Sequence, residues 1–238
     1  MNIANKTVLI TGANRGIGRA LVDEALRRGA KRVYAGTRSG LQHADKRVVR
    51  LTLDLTNASQ IERAVGAVEA LDVLINNAGV ATFDDLSDTA ATEKILAVNL
   101  YGTFNVTRGF LPLLTRSKGA IINIMSTTAF AALPIIPAYS ISKAALFSLT
   151  QSLRAQLARK GVTVHGVFAG PVDTDMSRGF DVPKASPESV AQAIFDGLKE
   201  GEEDIFPDSA SQTIAESWRT SAAKALEHQN AAFVKGEG

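Results

Sequence analysis

Short apolar runs rich in β-branched residues recur along the chain, and stretches of helical patterning separate one run from the next. Continuous apolar runs of this length are typical of parallel strands that are buried on both faces of a sheet. The pattern predicts six strands and leaves a short seventh open: Thr7–Ile10, Arg32–Ala35, Val48–Leu53, Val73–Ile75, Ala120–Met125, Val162–Phe168 and, as the seventh, Ile205–Phe206.

The intervening stretches have apolar residues at helical spacing. They predict five helices: Ile17–Arg28, Ser59–Glu69, Thr89–Leu114, Ala138–Lys160 and Pro187–Leu198. Ser186 followed by Pro187 is typical of a helix start. Glycines that follow helices closely are typical of C-terminal caps, and here they are Gly29, Gly161 and Gly201. The polar tail predicts one more helix, over about Thr213–His228, with a frayed end.

This alternation of strands and helices predicts the fold class. Strands joined through helices form parallel sheets with helices on both faces. We therefore expect an α/β fold, a Rossmann-type doubly wound parallel sheet of six to seven strands. We expect one domain over residues 1–238, in which residues 208–238 form a C-terminal helix and tail.

Composition narrows the classes of protein. The chain has 238 residues, of which 45% are hydrophobic and 21% charged, as in soluble globular proteins. It has no cysteine, which excludes disulfides, cysteine-ligated metals and thiol catalysis. The net charge of +2 gives no basic footprint for nucleic acid, and the apolar run near the N-terminus is too short for a membrane span. We expect a soluble cytoplasmic protein.

A glycine-rich segment directly follows the first predicted strand. Residues 11–18 read Thr-Gly-Ala-Asn-Arg-Gly-Ile-Gly, and a predicted helix begins within them. Glycines allow positive φ and close backbone approach, and a helix N-terminus offers free N–H groups to phosphate. The segment, called the glycine loop below, therefore predicts a dinucleotide pyrophosphate site, with an ordinary strand-to-helix turn as the alternative.

Further motifs follow in a fixed order along the chain. Asn-Asn-Ala-Gly occupies residues 76–79 after the fourth predicted strand, and Tyr139 stands four residues before Lys143. With the TGxxxGxG pattern of the glycine loop, these motifs resemble the short-chain dehydrogenase/reductases. The resemblance implies an oxidoreductase that uses a nicotinamide cofactor, and its members are commonly homotetramers or homodimers.

The resemblance implies four catalytic residues. Residues i and i+4 of a helix share one face, so the Tyr139 phenol and the Lys143 ammonium can point into one site. A free tyrosine has a pKa near 10, and we expect the nearby cation to lower it so that Tyr139 serves as acid and base. Ser126 would donate a hydrogen bond to the substrate oxygen. By resemblance, Asn99 distorts its helix and holds a water beside the lysine.

The predicted cofactor is NADP(H). The second strand ends at Thr37 and Arg38 without the acidic residue that would bind the ribose of NAD. Arg38 and Arg15 could pair with a 2′-phosphate, whereas surface solubility is the alternative for each arginine. The full set of predicted cofactor-binding residues is Gly12, Asn14, Arg15, Gly16, Ile17, Gly18, Thr37, Arg38, Asp54, Leu55, Asn76, Ala78, Gly79, Tyr139, Lys143, Pro171, Val172 and Thr174.

By resemblance, Asp54 binds the adenine amino group, and its alternative is a cap of the next helix. Val172 and Thr174 would bind the nicotinamide amide.

The predicted substrate is a small hydrophobic ketone, aldehyde or secondary alcohol. The residues expected to wall its site are mostly apolar: Thr127, Thr128, Phe130, Ala132, Leu133, Ile135, Ile136, Pro171, Val172, Met176 and Phe180. For each of them, simple core or interface packing is the alternative. The three histidines form no spaced cluster, so no metal is expected. A protein of the same fold that senses the cofactor without catalysis is the alternative function.

Overall fold

The computed structural model describes residues 1–234, which form one seven-stranded sheet with every strand pair parallel. The strands run in the order β3-β2-β1-β4-β5-β6-β7. This order reverses between β1 and β4, which opens a crevice at the carboxyl ends of the strands. The strands are β1 (Thr7–Thr11), β2 (Arg32–Thr37), β3 (Val48–Thr52), β4 (Val73–Asn76), β5 (Ala120–Ile124), β6 (Thr163–Val167) and β7 (Asp204–Ile205).

Helices cover both faces of the sheet, and each face has its own core. One core contains apolar residues of α1 and α6, and the other contains residues of α2, α4 and α5. The Rossmann-type doubly wound fold is therefore confirmed. The helices are α1 (Gly16–Arg27), α2 (Ala58–Ala67), α3 (Thr89–Leu96), α4 (Thr103–Ser117), α5 (Pro137–Leu157), α6 (Pro187–Glu200), α7 (Ser209–Arg219) and α8 (Ala222–Ala231).

Two predicted helices differ from the structure. The predicted helix Thr89–Leu114 is two helices joined by a π-helical segment, Ala97–Gly102. The predicted tail helix Thr213–His228 is wrong, because α7 ends at Arg219 and Ser221 caps a separate helix α8 by accepting from the backbone N–H of Lys224. The predicted frayed end falls partly on residues 235–238, which lie outside the described residues.

Local signals for helix ends were reliable. Gly29, Gly161 and Gly201 each follow a helix with φ between +72° and +83°, a conformation that glycine adopts without strain. The Ser186 hydroxyl caps α6 by accepting from the N–H of Ser189, and Pro187 fills the first turn. Of the helices formed by residues 1–234, none is long and apolar enough to cross a membrane.

Candidate active site

The crevice at the strand reversal contains a cavity of about 600 Å³. Its wall includes every residue that the sequence predicts for catalysis or cofactor binding, except Asn76 and Asn99. Residues from the loops after β1, β2, β4, β5 and β6 therefore converge on one site, as expected for an open α/β sheet. Of the predicted substrate wall, Phe130, Ala132 and Ile135 lie outside the cavity.

The glycine loop forms a tight backbone cradle, and its three glycine positions do not accommodate larger residues without strain or collision. Gly12 and Gly16 have φ of +66° and +51°, and a Cβ built on Gly18 would collide with the carbonyl oxygen of Gly12. The N-cap residue of α1, Arg15, makes no side-chain capping bond, whereas Asn57 caps α2. Among residues 1–234, Arg15 provides no side-chain acceptor for the first N–H groups of α1, and this cradle fits the pyrophosphate of a dinucleotide.

The segment after β4 braces this cradle. The hydroxyl of Thr11 accepts from the backbone N–H groups of Asn77 and Ala78 at 3.0 Å each. The Asn77 amide donates to the carbonyl oxygen of Thr11 at 2.9 Å and to that of Gly12 at 3.2 Å. Loop and brace therefore form one unit around the start of α1.

Asn76 does not line the cavity, and its assignment to the cofactor site stays a prediction. Its side chain is buried, and its amide donates to Thr107 at 3.0 Å and to Asn123 at 2.8 Å. Asn76 lies on the same face of β4 as Leu74, toward α4, because strand residues alternate between faces. Asn77, one residue later, is the member of the pair that lines the cavity.

The end of β2 presents one cation to the cavity. Arg38 is exposed on the cavity wall, and within residues 1–234 it forms no ion pair. Thr37 is buried, and its hydroxyl donates to the carbonyl of Ser39. The hydroxyl of Ser39 lines the cavity and accepts from Asn14 at 3.3 Å, so Ser39 is a wall residue that the sequence did not single out.

Arg15 has a partner that the sequence did not suggest. Its guanidinium lies 2.8 Å from the carboxylate of Asp175, on the segment after β6. Both side chains are largely exposed, so the pair contributes little to stability. It does connect the glycine loop to the segment that follows Thr174.

Asp54 points into the cavity and does not cap a helix. Its carboxylate accepts from the backbone N–H and the hydroxyl of Thr56, at 2.9 and 2.7 Å. These bonds lower the pKa of Asp54, and the charge of Arg38 lowers it further. Asn57 caps α2, so the alternative interpretation of Asp54 as the cap is wrong.

Three predicted catalytic side chains lie together on the cavity wall. Tyr139 lies in the first turn of α5, Lys143 follows one turn later, and Ser126 is the second residue after β5. The Lys143 ammonium lies 5.4 Å from the centroid of the Tyr139 ring and donates to the carbonyl oxygen of Ile124 at 2.7 Å. The i, i+4 spacing therefore places phenol and ammonium side by side.

The expected lowering of the tyrosine pKa does not occur in this chain. Burial of the hydroxyl disfavours phenolate and raises the pKa of Tyr139 to about 12, against a hydrogen bond with Ser126 that works to lower it. Burial also lowers the pKa of Lys143 to about 8. Desolvation is the largest cause of both shifts, and Tyr139 carries its proton at neutral pH.

Asn99 lies in the π-helical segment, behind the cavity wall. Its side-chain oxygen accepts from the N–H of Val80, and its amide donates to the carbonyl of Val80 and to the hydroxyl of Ser142, each at 2.9 Å. A Cβ built on Gly79 would meet both the Asn99 oxygen and the Lys143 ammonium, at 3.4 and 3.7 Å. Asn99 therefore ties the segment after β4 to α5, and its water-holding role stays a prediction.

The substrate wall differs in part from the prediction. Phe130 packs in an aromatic cluster, with ring centroids 4.3 Å from Phe168 and 4.7 Å from Trp218, so the core alternative is correct for it. The sequence missed residues 80–83 after the Asn-Asn-Ala-Gly motif, which lack a motif of their own. Within the described chain, no three His, Asp or Glu side chains group as metal ligands.

Comparisons with known proteins agree with this geometry. The family profile described as short chain dehydrogenase matches residues 6–183. The short chain dehydrogenase pigC of Monascus ruber is 34% identical over 202 residues, which cover 76% of this chain and 67% of that protein. The 2-(S)-hydroxypropyl-CoM dehydrogenase 3 of Xanthobacter autotrophicus is 33% identical over 210 residues, covering 81% and 82%.

A solved structure is similar over nearly the whole chain. It is a short chain dehydrogenase from Burkholderia cenocepacia J2315 in complex with NADP. Its sequence is 36% identical, the match covers 96% of this chain and 98% of that one, and the TM-score is 0.88.

Proposed function

Because the chain belongs to the short-chain dehydrogenase/reductase family of oxidoreductases, we propose that it transfers hydride between NADP(H) and a small hydrophobic ketone, aldehyde or secondary alcohol. The observation that carries the proposal is the convergence of Ser126, Tyr139 and Lys143 on a cavity that also contains the glycine cradle. Their side chains are the acid–base groups that reduction of a carbonyl requires.

The residues present fit NADP(H). The uncapped start of α1 and the glycine cradle would hold the pyrophosphate. Arg38 would bind the 2′-phosphate, as an exposed cation without an ion-pair partner among the described residues. The NADP complex of the Burkholderia protein supports this choice of cofactor. When bound, the reduced cofactor supplies the hydride.

The chain's own residues handle the proton. The Ser126 hydroxyl would donate a hydrogen bond to the substrate oxygen and hold it in place. Tyr139, whose pKa of about 12 keeps it protonated, would donate its proton to that oxygen as the charge develops. Lys143, with its ammonium beside the Tyr139 ring, stabilises negative charge on the phenol oxygen after the transfer.

The cavity wall supports the substrate class. Leu133, Ile136, Val172 and Met176 are among the residues that line it. Such a wall excludes water and favours apolar substrates. Apart from Lys143, the cations on the wall are Arg15 and Arg38, which belong to the glycine loop and the end of β2. A carboxylate or phosphate on the substrate would therefore find no dedicated partner.

A screen of ketones and aldehydes with NADPH tests the proposal, with Tyr139→Phe as the matched variant. We expect turnover by the unmodified protein and a loss of about 10²- to 10⁴-fold in kcat for Tyr139→Phe, because only the proton donor is removed. Binding of NADPH, followed by its fluorescence, should stay unchanged. Cofactor binding without turnover of any carbonyl would instead support a redox-sensing protein.

The choice of cofactor is tested separately. We expect a higher kcat/KM with NADPH than with NADH, and Arg38→Ala should raise the KM for NADPH while leaving that for NADH nearly unchanged. A lower kcat/KM with NADPH would contradict the assignment.

A further inference from the structure

Two phenylalanine rings from separate segments meet on the wall of the cavity. Phe83 belongs to the segment after β4 and Phe180 to the segment after β6, and both line the cavity. Their ring centroids lie 5.2 Å apart with an interplanar angle of 30°. Phe83 is 62% exposed, so the chain itself leaves much of this ring uncovered. We call Phe83 and Phe180 the aromatic pair.

The structure holds Phe83 in a fixed relation to the proposed proton donor. Its neighbour Asp84 donates its backbone N–H to the carbonyl of Ile135 at 3.3 Å. The Asp84 carboxylate accepts from the N–H of Ala138, also at 3.3 Å. Ala138 directly precedes Tyr139 in the first turn of α5. The segment that carries Phe83 is therefore bonded to the helix turn that carries the tyrosine.

Phe180 is held by a folded segment of its own. Around a single 3₁₀ turn, the N–H of Thr174 donates to the hydroxyl of Ser177 at 3.3 Å, and the N–H of Ser177 donates to the carbonyl of Thr174 at 3.1 Å. Gly179, with φ of +92°, then turns the chain back, and the N–H of Phe180 donates to the carbonyl of Ser177 at 3.1 Å. The Asp175–Arg15 ion pair connects this segment to the glycine loop. Both rings thus project from anchored backbone.

The surroundings of the pair select for apolar groups. Leu133 and Met176 line the same cavity and are partly exposed. The charged pair of Arg15 and Asp175 is already mutually satisfied at 2.8 Å. Aromatic rings favour other aromatic groups through offset or tilted stacking, beyond what burial of apolar area provides.

We propose that an aromatic ring of the substrate packs against the exposed side of the aromatic pair, so that the preferred substrates are aryl ketones, aryl aldehydes or the matching alcohols. This inference rests on the proposed carbonyl reduction. It makes Phe83 and Phe180 specificity-determining residues, which hold the substrate body while Ser126 and Tyr139 act on its oxygen.

The experiment compares acetophenone with cyclohexyl methyl ketone, which have the same carbon skeleton size but differ in aromaticity. The ratio of their kcat/KM values is measured with NADPH for the unmodified protein, Phe83→Leu and Phe180→Leu. Leucine keeps apolar bulk and removes the ring. We expect each variant to lower the aryl-to-cyclohexyl ratio by about 3- to 10-fold. Intrinsic reactivity of the two ketones cancels when ratios are compared between variants.

Phe233→Leu is the matched control, because Phe233 is 80% exposed and lies outside the cavity. It should leave the ratio unchanged. If both cavity variants reduce both ketones with an unaltered aryl-to-cyclohexyl ratio of kcat/KM, the proposed contact with the aromatic pair is overturned. Carbonyl reduction itself is not contradicted by that result. A rise in the KM for NADPH with an unaltered ratio also overturns the proposed contact, since the rings then cover the cofactor. Absence of turnover for every carbonyl tested overturns both proposals.

Discussion

Two buried lysines with nearly equal exposure have pKa values that are shifted in opposite directions. Lys143 on α5 is 4% exposed and Lys224 on α8 is 6% exposed. Burial lowers the pKa of Lys143 to about 8. Burial also works to lower the pKa of Lys224, but hydrogen bonds and ion pairs with Asp204 and Glu203 outweigh it, so that pKa is raised.

The difference lies in the partners. Among the described residues, the Lys143 ammonium donates only to a backbone carbonyl, that of Ile124. Lys224 lies 2.8 Å from the carboxylates of Glu203 and Asp204 and 3.1 Å from that of Glu227. Charge partners, and not depth, therefore decide whether a buried lysine stays firmly charged.

The two settings suit two tasks. The acidic groups around Lys224 also pair with Arg154 near the end of α5, so this cluster joins α8 and β7 to α5. A fully paired cluster holds elements together and resists titration. An unpaired ammonium near neutral pKa can instead exchange protons, as acid–base chemistry requires. Helix α5 carries a cation in each of these settings. Lys143, near its start, donates to a backbone carbonyl, whereas Arg154, near its end, belongs to the paired cluster.

The largest expected effect tests the proposed role of Lys143 in carbonyl reduction. Lys143→Met keeps the length of the side chain and removes its ammonium. We expect kcat for carbonyl reduction to fall by about 10²- to 10⁴-fold, because nothing then stabilises charge on the Tyr139 oxygen. Steady-state kinetics with NADPH measures this loss. Unfolding by urea at pH 7 should show no loss of stability. Near-normal kcat would contradict the role given to Lys143.

The next effect tests the structural side. Lys224→Met leaves the buried carboxylates of Asp204 and Glu227 without one of their cations. We expect the free energy of unfolding to fall by about 3 kcal/mol, since breaking a buried ion pair leaves an uncompensated charge. Urea unfolding at pH 7 measures it. Because the cluster lies outside the cavity, kcat and KM of the folded fraction should stay within about two-fold. A change of more than about two-fold in kcat or KM of the folded fraction would contradict the purely structural role given to Lys224.

The sequence could predict one of these lysines and not the other. Lys143 stands four residues after Tyr139, and helix geometry alone converts that spacing into proximity. Lys224 finds its partners through tertiary structure, since Asp204 lies 20 positions earlier on a two-residue strand. The prediction of one continuous tail helix also concealed the cluster, because the break at Ser221 sets which face of α8 meets β7.

The distinction between local spacing and tertiary contacts also explains the other differences between the prediction and the structure. The glycine caps and the glycine loop between β1 and α1 follow from local rules, and the structure contains them as predicted. Which of Asn76 and Asn77 lines the cavity depends on where β4 ends, which the sequence pattern does not resolve within one residue. The raised pKa of Tyr139 depended on burial, a property of the assembled site that the i, i+4 spacing does not contain.

The smallest effect uses pH to separate the two lysines. The pKa of Lys143 is about 8 in the folded chain and 10.5 for an ordinary lysine. Between pH 8 and 10, the unfolded chain therefore binds more protons at this residue, and its contribution to the free energy of unfolding rises with pH. We expect a gain of at most about 2 to 3 kcal/mol for the unmodified protein relative to Lys143→Met, measured by urea unfolding across this range.

Lys224 provides the matched contrast in the same measurement. Its pKa is raised in the folded chain, so its contribution to stability is fully present below an ordinary lysine pKa and is lost only as pH rises through the folded value. The difference in stability between the unmodified protein and Lys224→Met should therefore stay nearly constant from pH 8 to 10. If the stability difference between the unmodified protein and the variant had the same pH dependence for Lys143→Met as for Lys224→Met, the pKa values of the two lysines would not differ as the charges around them require.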